Sequence, residues 1–151
     1  MNIYTVSLFG HREVPDFKSV ENLLLSELYR LFDQHEFISF VLGRNGEFDE
    51  YAAMILKRIQ RQYGKDRCEI VLVLPYWVSD IEYYATYYDS VYIPEEISNN
   101  IYPKRAITVR NRIMIDRSDE IIFYVNKNKG GAYMTYKYAI KCGKRFVNIA
   151  K

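Results

Sequence analysis

Six short apolar runs alternate along this chain with segments whose apolar residues recur every three or four positions, and that alternation most limits how it can fold. The runs are Ile3–Phe9, Phe37–Leu42, Glu69–Pro75, Val91–Ile93, Glu120–Val125 and Arg145–Ile149. A strand covered by helices on both faces reads as a nearly continuous apolar stretch rather than an apolar–polar alternation. Between the runs, Val20, Leu23, Leu24, Leu28, Leu31 and Phe32 mark a helix from about Phe17 to Gln34, with Asp16 or Ser19 as its cap. Ala52, Ile55, Leu56, Ile59 and Tyr63 mark a second helix, opened by Glu47 to Glu50 and closed by Gly64. A short aromatic helix is expected over Asp80–Tyr88. Another covers Lys104–Arg117 with Ala106, Val109, Ile113 and Met114 inward, and the last starts near Ala132. This order predicts an α/β fold of three layers, with a mainly parallel sheet and right-handed crossovers.

In such a sheet the parallel strands all end on one edge, and ligands bind in the crevice outside those ends. Four strand ends carry glycine, polar or aromatic residues: Gly10-His11-Arg12, Gly43-Arg44-Asn45-Gly46, Tyr76-Trp77 and Asn126 to Gly131. The last is the most suggestive, because a buried strand passes through a polar turn into Gly130-Gly131-Ala132 and a helix. The first amides of a helix lack internal partners and carry the positive end of its dipole, a ready site for phosphate or carboxylate. A tight turn that needs glycine's backbone freedom explains the same residues without a ligand.

Other candidates also have two readings. His11 and Arg12 are either ligand contacts or part of a solvated loop. Asp49 and Glu50 either stabilise a helix dipole, or one of them faces the crevice to bind a ribose or act as acid or base. Arg110, beside Asn111, belongs to a solvated face or to a phosphate clamp, because a guanidinium binds phosphate bidentately. Trp77 can stack on a base or wedge the following segment in place. His35 has no partner pattern for catalysis or metal.

At 151 residues the chain suits one domain with a real core. A net charge of +2 gives no global polyanion signature, yet seven basic residues and no acid lie between Asn126 and Lys151, a local bias toward anions. Cys68 and Cys142 show no metal spacing and no CxxC pair, so no metal site is expected. Both read as reduced thiols of a cytoplasmic protein. No signal-peptide pattern opens the chain and no apolar run approaches a membrane span. Tyr83, Tyr84, Tyr87 and Tyr88, at spacings of three and four, suit packing against the body or a partner subunit, so a homo-oligomer is plausible.

Taken in order, Gly10-His11-Arg12, the turn from Gly43 through Gly46 to Phe48-Asp49 with Ala52-Ala53, Leu74-Pro75-Tyr76, Arg110-Asn111-Arg112 with Met114 and Asp116, Ser118-Asp119, and Gly130-Gly131-Ala132 with Ala139 resemble the SLOG superfamily of Rossmann-like proteins, specifically its bacterial YpsA-like branch. The resemblance covers nearly the whole chain and implies a single Rossmann-like domain over residues 1–151. The superfamily includes DprA-type DNA-processing proteins, LOG phosphoribohydrolases and ligand-sensing domains of bacterial defence systems. It implies a site for a nucleotide or nucleotide-derived small molecule, built from the first strand end and the Gly-Gly turn. Carried over by position, Gly10, Arg12, Gly43, Asp49, Arg110, Asn111, Gly130 and Gly131 form that site, and His11 and Ala132 adjoin it.

The departures from that pattern bear on function. Where the LOG motif reads GGxGTxxE, this chain reads GGAYMTYK. Tyr133 replaces the third glycine, Met134 the threonine and Lys137 the glutamate that serves N-glycosidic cleavage. The expectation is therefore ligand binding in the crevice, as a sensor or regulatory module, with no cofactor specified. The alternative is a hydrolase or transferase at an N-glycosidic bond, with Asp49 or Glu50 as nucleophile or base and Arg12 and Arg110 on the phosphate. A weaker alternative is binding of single-stranded nucleic acid through stacking aromatics.

Overall fold

The chain lays its six strands into one sheet in the order β4-β3-β2-β1-β5-β6, with every pairing parallel. The computed structural model describes residues 2–98 and 100–150. The elements are β1 (Ile3–Gly10), α1 (Phe17–Gln34), β2 (Phe37–Leu42), α2 (Glu47–Tyr63), β3 (Cys68–Val73), α3 (Ile81–Tyr87), β4 (Ser90–Tyr92), α4 (Pro103–Asp116), β5 (Glu120–Tyr124), α5 (Gly131–Lys141) and β6 (Arg145–Asn148). The architecture is the three-layer, Rossmann-like α/β fold expected from the alternation, and its sheet is wholly parallel. No described helix is long and apolar enough to cross a membrane.

Period-two alternation along the strands builds two cores. Val6, Leu8, Ile38, Phe40, Ile70 and Leu72 meet α1 and α2 on one face. Phe9, Val41, Val71, Ile121 and Phe123 meet α4 and α5 on the other. The chain builds outward from β1 through β2 and β3 to β4, then crosses back to place β5 against β1 on its other side. That reversal opens a crevice between the loops leaving β1 and β5.

Caps fix how those loops leave the sheet. Asp16 caps α1, its carboxylate accepting from the Ser19 amide at 3.2 Å. The first amides of α2 donate to the loop after β1, Glu47 N–H to Arg12 O at 2.9 Å and Phe48 N–H to His11 O at 3.4 Å. The Glu47 carboxylate accepts from the Val14 amide at 2.9 Å. The β1 loop is therefore strapped to the start of α2. That closeness depends on Gly10, where a Cβ would lie 2.2 Å from Phe48 Cγ.

The core face of α4 is Ala106, Arg110, Asn111, Met114 and Ile115, whereas Val109 and Ile113 sit half-buried at its margin. An apolar pattern points the helix at its hydrocarbon residues; here a guanidinium and an amide displace two of them because both find partners inside.

Gly10→Ala should cost about 1–3 kcal/mol, the range for overpacking a filled core, measured by urea denaturation. Unchanged stability would show that Phe48 moves aside freely.

Candidate functional site

A cleft of about 540 Å³ opens at the carboxyl edge of the sheet, between the ends of β1 and β5. Phe9, Gly10, His11, Arg12 and Glu13 form one wall; Asn45, Asp49, Ile107, Arg110 and Asn111 form the floor and far side; Lys127, Lys129, Gly130, Gly131 and Ala132 form the other wall. The structure thus brings together Gly10, His11, Arg12, Asp49, Arg110, Asn111, Gly130, Gly131 and Ala132 from four separate stretches of chain. Two other candidates fall outside. Gly43 lies beneath Arg110, where a Cβ would sit 2.8 Å from Nη1. Its role is to admit the guanidinium. Glu50 is one helical step from Asp49, which turns it to an exposed face away from the cleft.

The floor is organised by Arg110, which is 2% exposed. Its Nη1 donates to Val73 O, its Nη2 to Asn45 Oδ1 and its Nε to Asn111 Oδ1, each at 2.8 Å. Asn111 Nδ2 then donates to Thr135 Oγ1 at 3.1 Å, and the Thr135 hydroxyl donates to Gly131 O at 2.9 Å. One side chain thereby ties the end of β3, the β2–α2 turn and the first turn of α5. A solvated face for Arg110 is overturned by this burial, and three of its donors are spent on protein acceptors. Burial pushes the guanidinium down to about 10, with Asp49 opposing the shift.

Asp49 is buried too, and its Oδ2 accepts from the Asn45 amide at 2.8 Å. Asn45 lies between the two charges, holding Asp49 through its backbone and Arg110 through its side chain. Asp49 and Arg110 make no direct ion pair among the described residues. Burial therefore dominates, and it pushes the Asp49 carboxyl up to about 6 against the pull of the Asn45 amide and the Arg110 charge.

His11 holds the opposite wall. It is 8% exposed, and its Nε2 accepts from the amides of Asn126 at 3.0 Å and Lys127 at 3.2 Å. Nε2 accordingly carries no proton, and the neutral ring keeps its proton on Nδ1. Burial first, and the Lys127 charge second, lower its pKa. His11 lines the cleft while fixing the backbone from which Lys127, Lys129 and Gly130 project.

The turn into α5 is bare. Gly130 has φ +94°, in the left-handed region that favours glycine, and an added Cβ at Gly130 or Gly131 would meet nothing within 4 Å. No side chain caps α5, and among the described residues no backbone acceptor takes the amides of Gly131, Ala132 or Tyr133. With Lys127 and Lys129 beside them, these amides make a cationic end that faces a floor of carboxylate and amide groups. The arrangement can hold an anion at α5 and a hydroxyl-bearing body over Asp49 and Asn111. Among the described residues no cluster of three or more His, Cys, Asp or Glu could hold a metal.

Sequence reasoning passed over Asn45, Lys127, Lys129, Glu13, Ile107 and Thr135. Asn45 had a signal, since it sits in a glycine-bracketed turn at a strand end. Lys127 and Lys129 lay within the Asn126 to Gly131 strand end and the local basic bias, neither of which singled out the two side chains. Thr135 lies one helical turn beyond Gly131, and nothing in its spacing announces that it receives Asn111. Trp77 is 67% exposed and lies outside the cleft, so it wedges nothing in place.

No family model and no curated protein sequence matches this chain. Among solved structures, the X-ray structure of DNA processing protein A (DprA) from Streptococcus pneumoniae is similar to it, with a TM-score of 0.67 and 18% identity. The match covers 95% of this chain and 49% of that one, so this chain spans about half the length of that protein. The likeness establishes a shared Rossmann-like fold.

Two outcomes follow from the floor. Arg110→Ala should destabilise the chain by about 1–3 kcal/mol for each buried acceptor left unsatisfied, of which there are three. Chemical denaturation reads this directly, and a near-native midpoint would show that the three loops hold themselves. The second concerns pH. An unfolded aspartate titrates near about 4, whereas folded Asp49 titrates at about 6. Between those values the folded chain binds the extra proton, so the native state loses stability as pH rises from about 4 to about 6 and does not recover it above. Asp49→Asn, which stays neutral, should therefore gain on the wild type as pH rises over that interval. A stability difference constant across it would place the Asp49 pKa at its ordinary value.

Proposed function

We propose that this chain is a SLOG-type domain of the YpsA-like branch that binds a nucleotide or nucleotide-derived ligand and serves as a sensor or regulatory module. The phosphate would lie on the first turn of α5 between Lys127 and Lys129, with the sugar over Asp49 and Asn111. The observation that carries this reading is the bare turn at Gly130 and Gly131. Its amides are uncapped, no Cβ space there is taken by protein, and it faces a buried carboxylate across a cleft of ligand size. Arg110 serves this site from beneath, by aiming Asn45 and Asn111.

A second reading rests on Asp49. A carboxyl in the cleft with a pKa of about 6 is poised to act as base or nucleophile near neutral pH, which suits cleavage or transfer at an N-glycosidic bond. Glu50 faces away and has no part in it. Single-stranded nucleic acid is a third reading, favoured by the fold shared with a DNA processing protein and by the exposed rings of Tyr76 and Trp77 at the same sheet edge.

Mass spectrometry of small molecules released from denatured protein, with a thermal-shift screen of nucleotides and nucleotide-sugars, tests the first reading, because a ligand of the native state raises the melting temperature. Gly131→Val supplies the control. The new side chain meets no protein atom and suits a helix better than glycine, so the unliganded melting temperature should hold while affinity falls about tenfold or more, some 1.4 kcal/mol. Equal affinity in the variant would remove the α5 turn from the site. Release of free base from a bound nucleotide, abolished by Asp49→Asn, would favour the enzymatic reading instead.

A further inference from the structure

Away from the cleft, α3 presents a face that its own chain leaves uncovered. None of its seven residues is buried, and Tyr83, in its first turn, is 64% exposed. Apart from Asp89, which pairs with Lys65, the charges at the two ends of the helix differ in sign, and the Arg44 guanidinium lies over its middle, 4.7 Å from the centre of the Tyr84 ring. Asp80 and Glu82 stand exposed at its start, whereas Lys57 and Arg61 of α2 stand beside its end. The Lys57 ammonium lies 5.0 Å from the centre of the Tyr87 ring, and burial pushes that tyrosine's pKa up against the opposing charge of Arg61. None of the four makes an ion pair among the described residues.

We propose that this face docks on the same face of a second copy about a two-fold axis near Tyr83. The axis would run the two α3 helices antiparallel, tyrosine against tyrosine. It would bring the acidic end of each copy onto the basic end of the other, as an isologous interface requires. The helix is only about 10 Å long, so long side chains span from its ends to the partner's. A polyanion on this face would meet Asp80 and Glu82, and a polycation would meet Lys57 and Arg61; a second copy satisfies both ends at once. The adjoining strand β4 is the terminal strand of the sheet. The docking is independent of what the cleft binds.

Sedimentation velocity of the full chain across a concentration series reads the assembly. The wild type should form a dimer. Tyr83→Arg and Glu82→Lys should each yield a monomer with the wild-type circular dichroism spectrum and a melting temperature that no longer rises with protein concentration, because both side chains are exposed. Glu82→Lys combined with Lys57→Glu should dimerise again, since the exchanged charges face each other once more. A wild type that stays monomeric throughout would overturn the proposal, and so would a dimer indifferent to Tyr83→Arg or a double variant that fails to recover. A monomer that binds a short single-stranded oligonucleotide, with Tyr83→Arg altering that affinity, would assign the face to a polyanion instead.

Discussion

The Arg110 guanidinium cannot be left without partners inside the protein, and the carboxyl edge of the sheet is built to supply them. A buried charge without hydrogen-bond acceptors is too costly for a fold of ordinary marginal stability. Val73 O, Asn45 Oδ1 and Asn111 Oδ1 meet that requirement from three different places in the chain. The consequence is positional. The end of β3, the β2–α2 turn and the inner face of α4 are fixed relative to one another by a single planar group, whose fork lysine could not reproduce. Gly43 yields the space in which that group lies.

From this centre the constraint passes to both walls of the cleft. Through Asn111 and Thr135 it reaches the Gly131 carbonyl and sets where α5 begins. Through Asn45 it sets the surroundings of Asp49 without neutralising it, since an amide and not a salt bridge separates the two charges. A direct pair would hold Asp49 ionised; the interposed amide leaves burial dominant and the carboxyl titrating at about 6. On the other side His11 does for the β5–α5 loop what Arg110 does for the floor, receiving two successive amides on one nitrogen. The result is a cleft with rigid, opposite poles: uncapped amides and lysines at one end, carboxylate and amide groups at the other.

Much of this was legible in the sequence, for reasons that can be named. The continuous apolar runs announced buried parallel strands, and α1 and β2 begin and end where periodicity and the Asp16 cap place them. The strand ends at Gly10-His11-Arg12 and Gly130-Gly131 meet across the cleft because parallel strands share an edge. What stayed hidden involves partners distant in sequence. Arg110 read as a solvated face or a phosphate clamp, and its burial stayed hidden because its acceptors come from residues 45, 73 and 111. His11 read as a ligand contact or as part of a solvated loop, and its structural role stayed hidden because the amides it receives lie more than a hundred residues away. Glu50 and Asp49 could not be told apart until the phase of α2 turned one inward and the other out.

The proposed ligand sets its phosphate on the bare turn of α5, which amide chemical-shift mapping during titration with a panel of ribonucleoside phosphates reads residue by residue. Saturable shifts led by Gly131 and Ala132, with the side-chain amide of Asn111 following, are the predicted result. Saturable shifts confined to another surface, or none at any concentration with every member of the panel, would contradict it.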